Sequence, residues 1–310
     1  MAKNSICRSV IVTAVTSSFV ITAIAGAPSG WAEPTEPGAA QNASKEKPSW
    51  EEFLHKTYRD SDGQYIVDGD MPISDIEELR EFYDATPGDG DKSHIADLVA
   101  NKNDEGRPKL WKKSNVGNLT YCVSDEFGDD KDAIVEATDK GASYWEDASP
   151  AIDFRYLPDE DADCDTSNDN VMFSIEPTES DSYVARAFLP GASKSKRNVL
   201  LSDSVLHTDY SPEGVIGHEL GHTLGFRHEH NRPEAGVCFE DDNWVPLTPY
   251  DSASIMHYPH CNGSTADMTF SPLDREGVQK AYGGQPDAID PSDDSTWTSS
   301  VESLTGSLGS

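Results

Sequence analysis

The sequence predicts an α+β domain, and three features carry that prediction. Strand-like stretches cluster in the middle of the chain, amphipathic helical patterns lie before, among and after them, and a histidine-bearing helix follows the last strand. Residues 119–124 (LTYCVS) suit a pleated surface and form the first expected strand. Residues 129–147 read as a helix, with Ile134, Ala137, Ala142 and Trp145 in the apolar set and acidic residues at its start. Over 152–157, Ile152, Phe154 and Tyr156 alternate with Asp153 and Arg155, the period of a strand. A polar loop over 158–168 carries Cys164, and further strands are expected at 171–175, 183–189 and 199–201. A helix over 212–224 follows, with Ser211 as its N-cap and Pro212 in its first turn. The last helix opens at Ser271-Pro272-Leu273-Asp274, runs to about Tyr282 and ends at Gly283-Gly284.

The chemistry concentrates in His218-Glu219-Leu220-Gly221-His222-Thr223-Leu224-Gly225-Phe226-Arg227-His228. Four residues apart on a helix, His218 and His222 are offset by about 40°, so both imidazoles leave one face. Glu219 beside them is placed to take a proton from a water at a shared metal. On a continuous helix His228 would point away, roughly 240° round from His222. The helix must therefore end between them, and Gly225 tolerates the left-handed conformation that ends it. Three histidines with one open position form the pattern of a catalytic zinc site, not a structural one. Requiring glycine and histidine at the further fixed offsets lowers the chance occurrence of HExxH to on the order of one in twenty thousand. Surface histidines on an ordinary helix are therefore a poor account of the motif.

These residues resemble the metzincin metallopeptidases, whose signature is HExxHxxGxxH followed by a methionine-containing turn. Ser254-Ile255-Met256-His257-Tyr258 resembles that turn. The resemblance implies a catalytic domain over 107–284 with a mixed five-stranded sheet, the zinc helix and a C-terminal helix. It also implies one catalytic Zn2+ held by His218, His222 and His228, with Met256 as an apolar floor and Tyr258 as a displaceable ligand that stabilises the oxyanion. The stretch 183–191 (YVARAFLPG) is similar to the metzincin edge strand, which makes Val184, Ala185, Arg186 and Ala187 the candidates for binding an extended polypeptide substrate. Glu229 and Arg232-Pro233 read most like the astacin branch, where the glutamate pairs with the mature amino terminus. The span from His228 to Met256 is shorter than astacins usually have. A serralysin-like branch would add glycine-rich calcium repeats, which the sequence lacks. The rival class is a non-catalytic, zinc-binding secreted adhesion module, and Glu219 argues against it, because a pure binding site has no use for a base.

Residues 1–32 read as a signal peptide, with Lys3 and Arg8 before an uncharged stretch and small residues at its end. The expectation is a secreted protein with no stable membrane insertion once that signal is removed. The formal net charge of −32 excludes nucleic acid as a partner, because phosphate contacts need a basic face. Residues 159–169 lack the central glycine and terminal glutamate of an EF-hand loop. With Cys7 in the signal, Cys122, Cys164, Cys238 and Cys261 remain, an even number that suggests two disulfides. Three connectivities are open, and Cys122–Cys164 with Cys238–Cys261 is the favoured one.

Residues 33–106 combine a linker with a propeptide-like segment, bounded by the polar stretch 101–106, and 285–310 form an acidic tail without Lys or Arg. Helices are expected over 50–58 and 73–83, the second with Ile73, Ile76, Leu79, Phe82 and Tyr83 on one side and Ser74 or Asp75 as its cap. No cysteine lies between Glu33 and Tyr121, which excludes a cysteine switch. Val67-Asp68-Gly69-Asp70-Met71 resembles the aspartate motif of astacin propeptides, with Val67 in place of the usual aromatic residue. Asp70 is thus a candidate latch, through which the propeptide would act as an intramolecular inhibitor. An ordinary Asp-Gly-Asp turn is the other reading.

Overall fold

A computed structural model describes residues 47–86, 98–238, 241–265 and 267–283, all within one unit. The signal-like stretch 1–32, linker residues 33–46 and the tail 285–310 lie outside the described residues. In chain order the elements are α1 (Trp50–Lys56), β1 (Tyr58–Arg59), β2 (Tyr65–Val67), β3 (Met71–Ile73), α2 (Ile76–Ala85), β4 (Val99–Asn101), α3 (Lys113–Val116) and β5 (Leu119–Val123). They continue with α4 (Lys131–Glu146), β6 (Phe154–Tyr156), β7 (Phe173–Thr178), β8 (Ala185–Arg186), β9 (Asn198–Ser202), α5 (Pro212–Leu224), β10 (Trp244–Pro246) and α6 (Pro272–Ala281). No helix among the described residues is long and apolar enough to cross a membrane.

The expected α+β fold has its mixed five-stranded sheet, in the order β6-β5-β7-β9-β8. Strand β5 lies parallel to β6 and β7, and β7 parallel to β9, as the long connections between them require. Only β8 runs antiparallel, against β9, and it forms the edge. One face turns Tyr121, Phe173, Ile175, Ala185, Val199 and Leu201 into the main core beside Trp145, Ile216 and Leu220 of the helices. The opposite direction of Cys122 in β5 carries its sulfur to Cys164, packed with Val171. Cys238 and Cys261 form the second disulfide.

Several expected bounds shift, two of them for a reason the structure shows. The strand expected over 183–189 pairs only at Ala185–Arg186, because Ala187 and Phe188 both turn into the core and break the alternation a strand needs. Ile73 ends β3 opposite Tyr65 and does not begin a helix. The Asp75 carboxylate accepts from the Glu78 amide at 2.9 Å and starts α2 one residue later. The stretch 101–106, expected as a boundary, runs from the end of β4 into a half-buried to exposed turn. Strand β4 pairs with β10, the Arg227 amide donates to the Val99 carbonyl at 2.8 Å, and Leu98 and Ala100 lie in the main core.

Helix α5 follows its local chemistry. The Ser211 hydroxyl accepts from the Gly214 amide at 3.1 Å, Pro212 opens the first turn, and Gly225 closes the helix at φ 105°. A Cβ on Gly225 would lie 2.8 Å from the Lys109 carbonyl oxygen, so conformation and space both demand glycine. The Trp145 indole of α4 donates to the Gly217 carbonyl at 2.8 Å and stacks on Phe226 at 5.2 Å, fixing α5 from behind. That close approach depends on Gly141, where a Cβ would meet the Gly217 nitrogen at 2.8 Å and the Glu213 oxygen at 3.0 Å. Backbone atoms cannot rotate away. Gly141→Ala should therefore destabilise the protein by about 1–3 kcal/mol despite alanine's better helix propensity. Thermal unfolding checks this, and an unchanged midpoint would show that α4 and α5 separate freely.

Candidate metal centre

Helix α5 brings His218 and His222 to one face, and the reversal at Gly225 returns His228 to them. Each helical imidazole is aimed by its far nitrogen. His218 Nδ1 lies 2.8 Å from the Ile255 carbonyl oxygen, and His222 Nδ1 lies 2.8 Å from the Phe226 carbonyl oxygen. A carbonyl only accepts, so both rings carry their proton on Nδ1 and turn a bare Nε2 inward. His222 Nε2 stands 3.2 Å from His218 Nε2 and 3.2 Å from His228 Nε2. All three rings are at most 1 % exposed. Burial holds the His218 pKa down to about 4 and lowers that of His222 as well, which keeps both rings neutral.

Glu219 is buried beside them, and its Oε2 has no hydrogen-bond partner. Burial, then the charge of Asp70, push its pKa well above the ordinary carboxylate range, against the opposing charge of Arg186. Asp70 enters the same space from the leading segment. Its Oδ2 is 3.3 Å from His218 Nε2 and 3.2 Å from His228 Nε2, and its Oδ1 is 3.1 Å from His228 Nε2. The Tyr258 hydroxyl also donates to Asp70 Oδ2. The Asp-Gly-Asp turn delivers this carboxylate. Asp68 takes φ 55° and Gly69 φ 95°, and a Cβ on Gly69 would lie 3.1 Å from the Tyr258 hydroxyl.

Met256 is fully buried behind α5, where a Cβ on Gly221 would meet its sulfur at 2.5 Å. Its carbonyl accepts from the Glu229 amide at 2.8 Å, tying the 254–258 turn to the chain just after His228. Tyr258 stacks on His230 at 4.8 Å and on His260 at 5.1 Å. Val184, Ala185, Arg186 and Ala187 lie at the sheet edge, but the Arg186 side chain is fully buried against the leading segment. Glu229 accepts from Arg232 at 2.6 Å and from the Asp251 amide at 2.8 Å through Oε1, while Oε2 has no partner. Burial raises its pKa to about 8 in spite of Arg232.

One site residue escaped the sequence reading. Asp274, expected only as part of a helix start, accepts from the Ser271 amide at 2.8 Å and completes a capping box. The same carboxylate accepts from the Ser254 hydroxyl at 2.5 Å and the Ile255 amide at 2.9 Å. It therefore holds the residue whose carbonyl aims His218. The S-x-x-D pattern signals the cap, but nothing local signals the second pair of bonds.

No family model matches the chain. It is 37 % identical over 81 residues to an astacin-like metalloendopeptidase of Coturnix japonica, covering 20 % of this chain and 20 % of that protein. It is 26 % identical over 190 residues to bone morphogenetic protein 1 of Xenopus laevis, covering 54 % of this chain and 24 % of that one. It is 34 % identical over 65 residues to the zinc metalloproteinase nas-30 of Caenorhabditis elegans, covering 15 % and 9 %. The chain thus spans about a quarter or less of the length of these relatives. In the matched stretches the chain is thus similar to astacin-like metalloendopeptidases.

Proposed function

We propose that this protein is a secreted, zinc-dependent endopeptidase that its own leading segment keeps latent. The observation that carries the reading is the buried meeting of three histidine Nε2 atoms beside Glu219. The donor set fits zinc: separations of 3.2 Å match the edge of about 3.3 Å of a tetrahedron with zinc–nitrogen bonds near 2.0–2.1 Å. Without a cation, unprotonated nitrogens at that spacing would repel one another. A zinc ion held by His218, His222 and His228 would polarise the scissile carbonyl and make water acidic enough to attack near neutral pH.

Glu219 takes the proton of the attacking water and hands it to the leaving amine. Tyr258, released from Asp70, turns its hydroxyl to the oxyanion. Met256 closes the site from below with an apolar surface that keeps water out. The substrate is an extended polypeptide laid along β8, whose outer edge has no strand partner among the described residues. Next to Glu219, a cavity of about 210 Å³ lined by Val184, Tyr210, Val215 and Met268 would receive a substrate side chain. Export is supported by the signal-like residues 1–32 and by the two disulfides. Latency is supported by Asp70, which fills the corner between His218, His228 and Tyr258. The buried, unpartnered Oε2 of Glu229 is suited to the amino group that the astacin resemblance implies. Because β4 belongs to the larger body, the activating cut belongs between residues 86 and 98.

Glu219→Gln keeps size and polarity but removes the proton acceptor, so the processed variant should retain zinc while peptide hydrolysis falls by about 10²–10⁴-fold. Near wild-type turnover with zinc bound would assign the base elsewhere. His228→Ala should lower zinc content as well, measured by elemental analysis. Tyr258→Phe removes only the hydroxyl and should lower kcat more than it changes KM, since the interaction strengthens in the transition state. An unchanged kcat would leave Tyr258 a packing role. Asp70→Ala should make the uncut chain partly active without changing the cut enzyme. An uncut Asp70→Ala chain as silent as the wild type would remove Asp70 as the latch.

A further inference from the structure

We infer that Arg186 forms a second carboxylate-binding site, in which the leading segment is anchored independently of the metal. The site lies on the edge strand. The Arg186 side chain is 0 % exposed and its three nitrogens are all engaged. Nε donates to Asp60 Oδ2 at 2.8 Å, Nη2 to Asp62 Oδ2 at 3.0 Å and Nη1 to Asn198 Oδ1 at 3.1 Å. The Tyr183 hydroxyl donates to the same Asp60 oxygen at 2.6 Å, and Lys196 reaches the Asp62 carbonyl at 3.0 Å. Alongside, Ile66 packs on Tyr183 and Leu200.

Both acidic partners come from the leading segment, and hydrogen bonds within that segment hold their turn. The turn from Asp60 to Gln64 closes through Asp60 N to Gln64 O at 2.8 Å, and the Gln64 amide and side chain hold the Asp62 carboxylate at 3.0 and 2.7 Å. Burial alone would raise the Asp60 pKa, but the Tyr183 hydroxyl and Arg186 overcome it and hold the group below the usual range. With the segment gone, the guanidinium would keep only the neutral Asn198 as a direct hydrogen-bond partner among these contacts. Glu176 acts on it electrostatically, but its carboxylate is bonded to Ser174. A cation left with that single neutral partner binds carboxylates, and a planar fork prefers a fixed pair of them. The ligand class is thus two carboxylates on one tight turn, and its resident is residues 60–62. Such a contact is little screened by salt, because the guanidinium and Asp60 are both out of solvent.

The inference rests on the latency reading for its meaning, but its test measures binding and not activity. A protease recognition sequence placed between residues 86 and 98 of the full chain allows the connection to be cut. Gel filtration in 1 M salt then shows whether the leading piece stays with the rest, with and without a zinc chelator. The wild-type and Asp70→Ala pieces should both co-elute, chelator or not. The pair Asp60→Asn with Asp62→Asn, which leaves the larger body unaltered, should raise the dissociation rate by about tenfold or more. Chelator-induced release of the wild-type piece would overturn the inference, as would equal retention of the Asn pair. A retained piece that fails to inhibit the cut enzyme would instead overturn the latency reading and leave the anchor standing.

Discussion

Three buried imidazoles turned towards one point, with two Nε2 separations of 3.2 Å, are the constraint on which this structure depends. That arrangement is unfavourable unless a cation shares their lone pairs, so the fold must impose it. It does so with two carbonyl groups. Phe226 supplies one only because Gly225 reverses the chain directly after α5, and Ile255 supplies the other only because Asp274 holds its amide. Trp145 and the small Gly217 and Gly221 then press α5 against Met256 and α4, leaving the helix no room to turn its histidines away. The rotamers are locked by contacts from four separate parts of the chain, which is what a prepared ligand set requires.

The parts of this site legible in sequence are those written in neighbouring residues. Ser211, Pro212 and Gly225 mark the ends of α5 by capping rules, and the His218–His222 spacing sets one face by helix geometry. Strands β5, β7 and β9 were legible because their alternating or apolar runs are dense. What was not legible is long-range. Asp274 bonds a residue 19 positions away, β4 joins β10 across more than a hundred residues, and Asp60 meets Arg186 at a separation of 126. No local pattern distinguishes an aspartate with a buried partner from one in solvent. Arg186 shows the same limit from the other side. Its place on an edge strand was implied only by the metzincin resemblance of residues 183–191, and the direction of its side chain depends on what covers it.

The leading segment also shows why acidity and folding are compatible here. Its own apolar cluster is small, with Val67, Met71, Ile73, Leu79 and Phe82 buried around α2 and β3. Apolar burial of that size supports little independent stability. The deficit is offset by carboxylates that find cations on the larger body: Asp60 and Asp62 at Arg186, and Asp68 3.6 Å from Arg227. The net charge of −32 is therefore not spread over a uniformly solvated surface. Part of it is used at an internal interface, where removing one partner leaves an uncompensated buried charge.

That division of labour explains a local oddity of the chain. Asp68 and Gly69 both adopt positive φ, a conformation that costs a non-glycine residue about 1 kcal/mol or more. A turn so strained persists only if its surroundings over-determine it. Upstream, the Arg186 contacts fix residues 60–62, and downstream β3 pairs with β2 through Met71 opposite Val67. Between these two fixed points the chain has few ways to close except by pushing Gly69 against Tyr258 and Asp70 into the histidines. The Asp70 contact at the candidate metal centre is thus positioned by contacts elsewhere in the segment. None of these contacts depends on the chain being continuous between residues 86 and 98, since each joins residues 60–73 to one another or to the larger body.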